Sequence, residues 1–151
     1  MRLALDGLGD DGNFVTAFLC VIDPVRRTLT YCNAGHQPPV IVNADKESVI
    51  CGGTGPLLSS LGGEWTDRTV DFSPGTLLLA YTDGLIEGTS PTGGDITADD
   101  LGRIIRALDA PVRQDPQELL YRVVSHIREH ASAWHRDDVT AVVAGCPVMA
   151  L

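Results

Sequence analysis

No stretch of this 151-residue chain holds the ~18 consecutive apolar residues that a membrane-spanning helix needs, so a membrane protein of that kind is not expected. The opening "MRLALDGLGDDGN" turns acidic after a few apolar residues and lacks the apolar core of a secretion signal. Basic residues are scarce: 11 Lys and Arg stand against 20 Asp and Glu, for a net charge of −9. Phosphate backbones are held by clustered positive charge, so a nucleic-acid surface is not expected either. The acids permit a cation site, although solubility alone would account for them equally well. No C-x-x-C pair occurs among Cys20, Cys32, Cys51 and Cys146, which argues against a zinc ribbon. Cys20 and Cys32 lie in apolar runs and read as small core residues, reduced in a cytoplasmic protein. There is no G-x-S-x-G for a nucleophilic serine. The glycine-rich "GGTGP" lacks the Lys-Ser/Thr of a phosphate loop.

What is present has the texture of a soluble α+β protein, with 44% hydrophobic and 21% charged residues, a size that suits one core. "FVTAFLCVI" (14–22) is β-branched and aromatic and predicts a buried strand. "DPVRRT" is a turn with Pro24 pre-set for it, and "LTYCNA" (29–34) is the return strand of a hairpin. "VIVN" and "ESVI" predict a second hairpin. "CGGTG" and Gly62-Gly63 predict flexible stretches. "RTVDF" and the nearly continuous apolar "TLLLAYT" are further strands, the latter buried on both faces. The period then becomes helical. Thr97 opens a helix as a capping-box N-cap, with Leu101, Ile104, Ile105 and Leu108 at helical spacing. Asp115-Pro116 opens a second, whose stripe runs Leu119, Leu120, Val123, Val124, Ile127, Ala131 and Trp134. A last strand from Val139 to Ala144 re-enters the sheet beside a central one. Antiparallel strands, two helices and a final strand make an α+β pattern with helices on one sheet face.

Three places carry candidate chemistry. Asp83 follows the buried strand in "LLLAYTDGLIEG", and Gly84 lets the backbone bend or approach a ligand there. A capping Asp is the commoner case at such a place. Asp137-Asp138 precede the last strand. If the two strands are neighbours, these acids converge at one sheet edge, where carboxylates repel unless a cation lies between them. Hard ions such as Mg²⁺ or Mn²⁺ suit that donor set. Asn33-Ala34-Gly35-His36 ends a strand, and a His beside Pro-Pro is more often a turn residue than a catalyst. "HIREH" (126–130) matches H-x-x-E-H, but too little chain follows His130 to bring a distant third zinc ligand. Partial burial of His130 on a helix flank is the expectation.

Together "FVTAFLCVIDPVRRTLTYCNAGHQPPVIV", "LLLAYTDGLIEG" and "RDDVTAVV" resemble the SpoIIE-type (RsbU-like) bacterial branch of the PPM metal-dependent serine/threonine phosphatases. The resemblance covers the chain from Phe14 onward, with residues 1–13 a lead-in read as the end of a helix. It implies a partial αββα sandwich with antiparallel sheets, and two Mn²⁺ or Mg²⁺ ions in a complete domain. It implies Asp83 and Asp137 as metal ligands, with Gly84 and Asp138 as weaker candidates. Asn33, Gly35 and His36 match a "NAGH" motif of the branch whose role is open, since more distant relatives carry Asp at the His36 position. The family also has an upstream "GD" motif and a D-x-x-G-x-G motif that complete the metal pair. Asp6-Gly7 and Asp10-Asp11-Gly12 do not match these in context, so the chain reads as the C-terminal part of a catalytic domain, inactive alone. The implied substrate is a phosphorylated regulatory protein of the anti-sigma-factor antagonist type. A sensory domain often precedes such domains in a longer parent. Exposed sheet edges predict homo-oligomers. The competing expectation is a non-catalytic binding or regulatory module that keeps the phosphatase fold.

Overall fold

The structure, a computed structural model, describes residues 13–88, 94–130 and 138–148. The chain forms two compact units. One is drawn from the chain up to His36 and from Gly52–Asp71, the other from Gln37–Cys51 and the chain from Phe72 onward. The lead-in lies almost wholly outside the described residues, as do Ala131 and Trp134 of the predicted helical stripe.

In the first unit the predicted 14–22 strand is two: β1 (Phe14–Val15) and β2 (Ala17–Asp23). β2 and β3 (Thr28–Ala34) form the expected hairpin, with Ala17 opposite Ala34 and Asp23 opposite Thr28. Its turn is fixed by Asp23, whose carboxylate accepts from the backbone N–H of Val25 and of Arg26 at 3.0 and 2.8 Å. A two-residue strand, β6 (Leu58–Ser59), pairs with β1, and β7 (Arg68–Asp71) pairs with β3. β2 is therefore an edge strand of a three-stranded sheet. This corrects the expectation that it is buried: Val21 is 71% and Leu19 47% exposed, and Cys20 is exposed as well, so Cys20 is not a core residue. A nearly continuous apolar run predicts a strand but not which of its faces gains a cover. The "CGGTG" stretch is tied down at Thr54. Thr54 N–H donates to the Asn33 carbonyl at 2.9 Å, and Thr66 N–H donates back to Thr54 at 3.2 Å.

The second unit is built on an antiparallel sheet of β4 (Val40–Val42), β5 (Ser48–Ile50), β8 (Leu77–Tyr81) and β9 (Ala141–Gly145), in the order β5-β4-β8-β9. β4 and β5 are the predicted second hairpin, closed where the Asn43 side chain accepts from Glu47 N–H at 2.8 Å. Three helices follow: α1 (Ala98–Ala107), α2 (Ala110–Gln114) and α3 (Pro116–His130). Thr97 makes the predicted capping box with Asp100, and the Asp115 carboxylate accepts from Gln117 and Glu118 N–H to start α3. α2 adds a short helix to the two expected. The core packs Val40, Val42, Leu77, Leu79 and Tyr81 of the sheet against Leu101 and Ile105 of α1 and Leu119, Val123 and Ile127 of α3. Burying each such side chain contributes about 1.5–3 kcal/mol, which is what seats the helices on the sheet. Leu78, on the other face of β8, is only 5% exposed, so β8 is buried on both faces as its composition predicts. No helix among the described residues is long and apolar enough to cross a membrane.

Candidate functional site

β8 and β9 run antiparallel with Tyr81 opposite Ala141 and Leu77 opposite Gly145, so the end of β8 lies beside the start of β9. Thr82 fastens that junction. Its N–H donates to the Thr140 carbonyl at 2.9 Å. Its hydroxyl donates to the Asp138 carbonyl at 3.2 Å and accepts from Thr140 N–H at 3.0 Å. One residue later the chain leaves the sheet in a 3₁₀ turn, Asp83–Leu85, whose backbone is fixed by Ile86 and Glu87 N–H donating to the Asp83 carbonyl at 2.8 and 2.9 Å.

The side chain of Asp83 is exposed at this rim while Gly84 and Leu85 behind it are buried. One carboxylate oxygen accepts from Gly84 N–H at 3.1 Å. That bond restrains the carboxylate at the exposed rim. Asp138 is exposed on the adjoining strand end. Asp137 lies outside the described residues. The fold thus brings Asp83 and the residues that start β9 to one sheet end. Carboxylates are the donor type that hard cations take; among the described residues no group of three or more His, Cys, Asp or Glu is placed to hold a metal ion. Thr82 and Thr140 are the residues that sequence reasoning missed. The signal was available: a Thr stands just before Asp83 in "YTDG", and another two residues beyond Asp138 in "DDVT".

The Asn33-Ala34-Gly35-His36 motif lies in the first unit, and its geometry is that of a turn. Asn33 is fully buried, and its side-chain oxygen accepts from His36 N–H at 2.9 Å. Gly35 takes φ +68°, and a Cβ there would stand 2.9 Å from that of Leu57. The His36 ring is half-buried, with Nδ1 3.4 Å from the Thr16 hydroxyl. At "HIREH", His126 and His130 stack with centroids 4.2 Å apart. His130 is exposed, not partly buried as expected, because it sits on the solvent side of the last turn of α3, its Nδ1 2.8 Å from the His126 carbonyl. Desolvation, and then the neighbouring His130, push His126 below the usual imidazole range, with Glu129 opposing.

Solved structures share this fold. The RsbU and RsbW domains of Rv1364c from Mycobacterium tuberculosis align with TM-score 0.70 and 24% identity, over 89% of this chain and 38% of theirs. The phosphatase domain of SpoIIE from Bacillus subtilis, in a manganese-presoaked form, aligns with TM-score 0.69 and 20% identity, over 99% of this chain and 65% of that one. The fold is that of PP2C-type phosphatase domains, an α+β architecture with antiparallel sheets. The family described as Stage II sporulation protein E (SpoIIE) matches residues 2–147, and the chain belongs to that family. Among curated proteins, Protein IcfG of Synechocystis sp. is 36% identical over 85 residues, 56% of this chain and 13% of IcfG. The chain spans less than two thirds of the length of each of these relatives.

Proposed function

We propose that the chain is part of a metal-dependent phosphatase that hydrolyses phosphoserine or phosphothreonine on a regulatory protein of the anti-sigma-factor antagonist type. The observation that carries this reading is the β8–β9 junction, where Thr82 locks Asp83 beside the start of β9. Asp83 and Asp137 are the proposed ligands of Mn²⁺ or Mg²⁺, and Gly84 and Asp138 the weaker candidates. Bound there, such ions would supply Lewis acidity, lowering the pKa of a coordinated water and offsetting the phosphoryl charge. Gly84 N–H holds one oxygen of the exposed Asp83 carboxylate, and the buried Gly84 keeps the backbone against the sheet end. The choice of ions is supported by the manganese soak of SpoIIE and by RsbX, solved in complex with magnesium.

Two carboxylates fill only part of the six or so oxygen positions around such a cation, so this chain alone is proposed to bind metal weakly and to turn over negligibly. A regulatory partner or an attached sensory domain belongs to the same reading. Rv1364c carries an RsbU domain together with an RsbW domain, and the SpoIIE phosphatase domain was solved with a fragment of its regulatory domain. Self-association through the exposed β2 edge and a cytoplasmic location complete the proposal.

The test is Mn²⁺ titration by calorimetry into the chain and into Asp83→Asn and Asp137→Asn, with a phosphoserine-peptide assay alongside. Weak binding, abolished in both variants, is expected, with negligible phosphate release. Metal binding unchanged in both variants would refute the ligand assignment. Efficient metal-dependent turnover by the chain would refute its proposed inactivity.

A further inference from the structure

The end of the four-stranded sheet away from Asp83 holds a cleft of about 390 Å³, formed at the start of β8, the end of β9 and the α2–α3 corner. Two features of its lining are unusual. The Thr76 side chain is buried, the residue being 2% exposed, and its hydroxyl has no hydrogen-bond partner among the described residues. Its backbone is fully used: Thr76 N–H donates to Ser73 at 2.9 Å and its carbonyl accepts from Cys146 N–H at 2.8 Å. The second feature is Arg113. Its Nη1 donates to the Asn43 carbonyl at 3.2 Å, which fixes the guanidinium against the β4–β5 turn. Its Nε is buried with no acceptor, and the guanidinium has no carboxylate partner among the described residues.

An unpartnered hydroxyl and a guanidinium edge without a counter-ion both cost free energy where water is excluded. The costs occur together, in a cleft whose other walls include Leu77, Pro116, Val143, Pro147 and Val148. The edge of a guanidinium made by Nε and one Nη engages a carboxylate through two parallel hydrogen bonds. A hydroxyl nearby supplies a further donor, and apolar walls suit a short hydrocarbon body.

We propose that this cleft binds a small organic carboxylate with an apolar body, its head held by Arg113 and Thr76. The assignment is independent of the phosphatase reading, because it uses none of the residues at the Asp83 end. Hexanoate is the probe, with hexanamide and inorganic phosphate as controls, added to the chain and followed by backbone NMR shifts and melting temperature. Hexanoate should shift the Thr76, Cys146 and Val148 amides saturably and raise the melting temperature, and hexanamide should not. Arg113→Gln and the near-isosteric Thr76→Val should each weaken binding by about tenfold or more. If Arg113→Gln does not fold, Thr76→Val decides. No saturable shift at millimolar hexanoate, equal binding of hexanamide, or unchanged affinity in Thr76→Val would overturn the proposal. Binding of phosphate in place of hexanoate would overturn the carboxylate assignment.

Discussion

At the scale of single residues, two positions are set by backbone and burial more than by side-chain chemistry. Gly35 holds φ +68° with the Leu57 Cβ within 2.9 Å of where its own would be. A left-handed conformation costs an L-residue about 1–2 kcal/mol, before any displacement of Leu57. Gly35→Ala should therefore lower stability by at least about 1 kcal/mol in urea unfolding. The glycine of "NAGH" is thus explained by the turn whether or not His36 has a chemical task. Tyr81 is the second case. Its hydroxyl donates to the Pro38 carbonyl at 3.0 Å, and burial pushes its pKa up to about 12. An unfolded tyrosine ionises near about 10, so ionisation favours the unfolded chain. The contribution is whole below pH ~10 and is lost as pH rises through about 12. Tyr81→Phe should cost about 1 kcal/mol at neutral pH. It should also flatten the alkaline limb of a plot of melting temperature against pH, and an unchanged limb would contradict the assignment.

At the scale of elements, the junction of β8 and β9 is where sequence and structure inform each other most. The apolar "TLLLAYT" and "VTAVVAG" runs announce two strands, and the acids at their ends suggest a shared edge. The last strand is expected beside a central one, and it pairs with β8; the register was not legible, because it is decided by which faces both strands bury. The caps were legible from local chemistry alone: Thr97 with Asp100, and Asp115 before Pro116. The short helix Ala110–Gln114 was not, since five residues carry no helical period, although Asp109 ahead of Ala110-Pro111 repeats the Asp-then-Pro signal of the next helix. Nor could the exposure of β2 be read, because an apolar strand looks the same in sequence whether or not a layer covers it. The Thr82 hydroxyl gives this scale its test. Thr82→Val keeps the shape and removes the side-chain bonds across the junction, to the Asp138 and Thr140 carbonyls and from the Thr140 N–H, which is left without that acceptor. A loss of about 1–2 kcal/mol is expected. Faster hydrogen exchange should be confined to the Thr140 end of β9, and exchange unchanged there would mean that the backbone bonds alone hold the two strands.

At the scale of the whole molecule, the property that stands out is the edge left by β2. Seven residues pair with β3 on one side and with no strand among the described residues on the other. Val21 and Leu19 are exposed along it, and the strand itself holds no Lys or Pro to discourage pairing with another chain. Charge does not obviously rescue it. A net −9 repels copies at long range, but over distances beyond about 8–10 Å that repulsion is screened at physiological salt, where strand pairing is not. The chain should therefore associate with a second copy through β2, more strongly as salt rises. Val21→Lys, on the exposed side of the strand, should shift light scattering from dimer toward monomer at the same concentration. Its melting temperature should change little, because Val21 is 71% exposed and supports little of the core. A wild-type chain that stays monomeric at all salt concentrations, or a Val21→Lys chain that dimerises equally well, would show that β2 does not mediate pairing between copies.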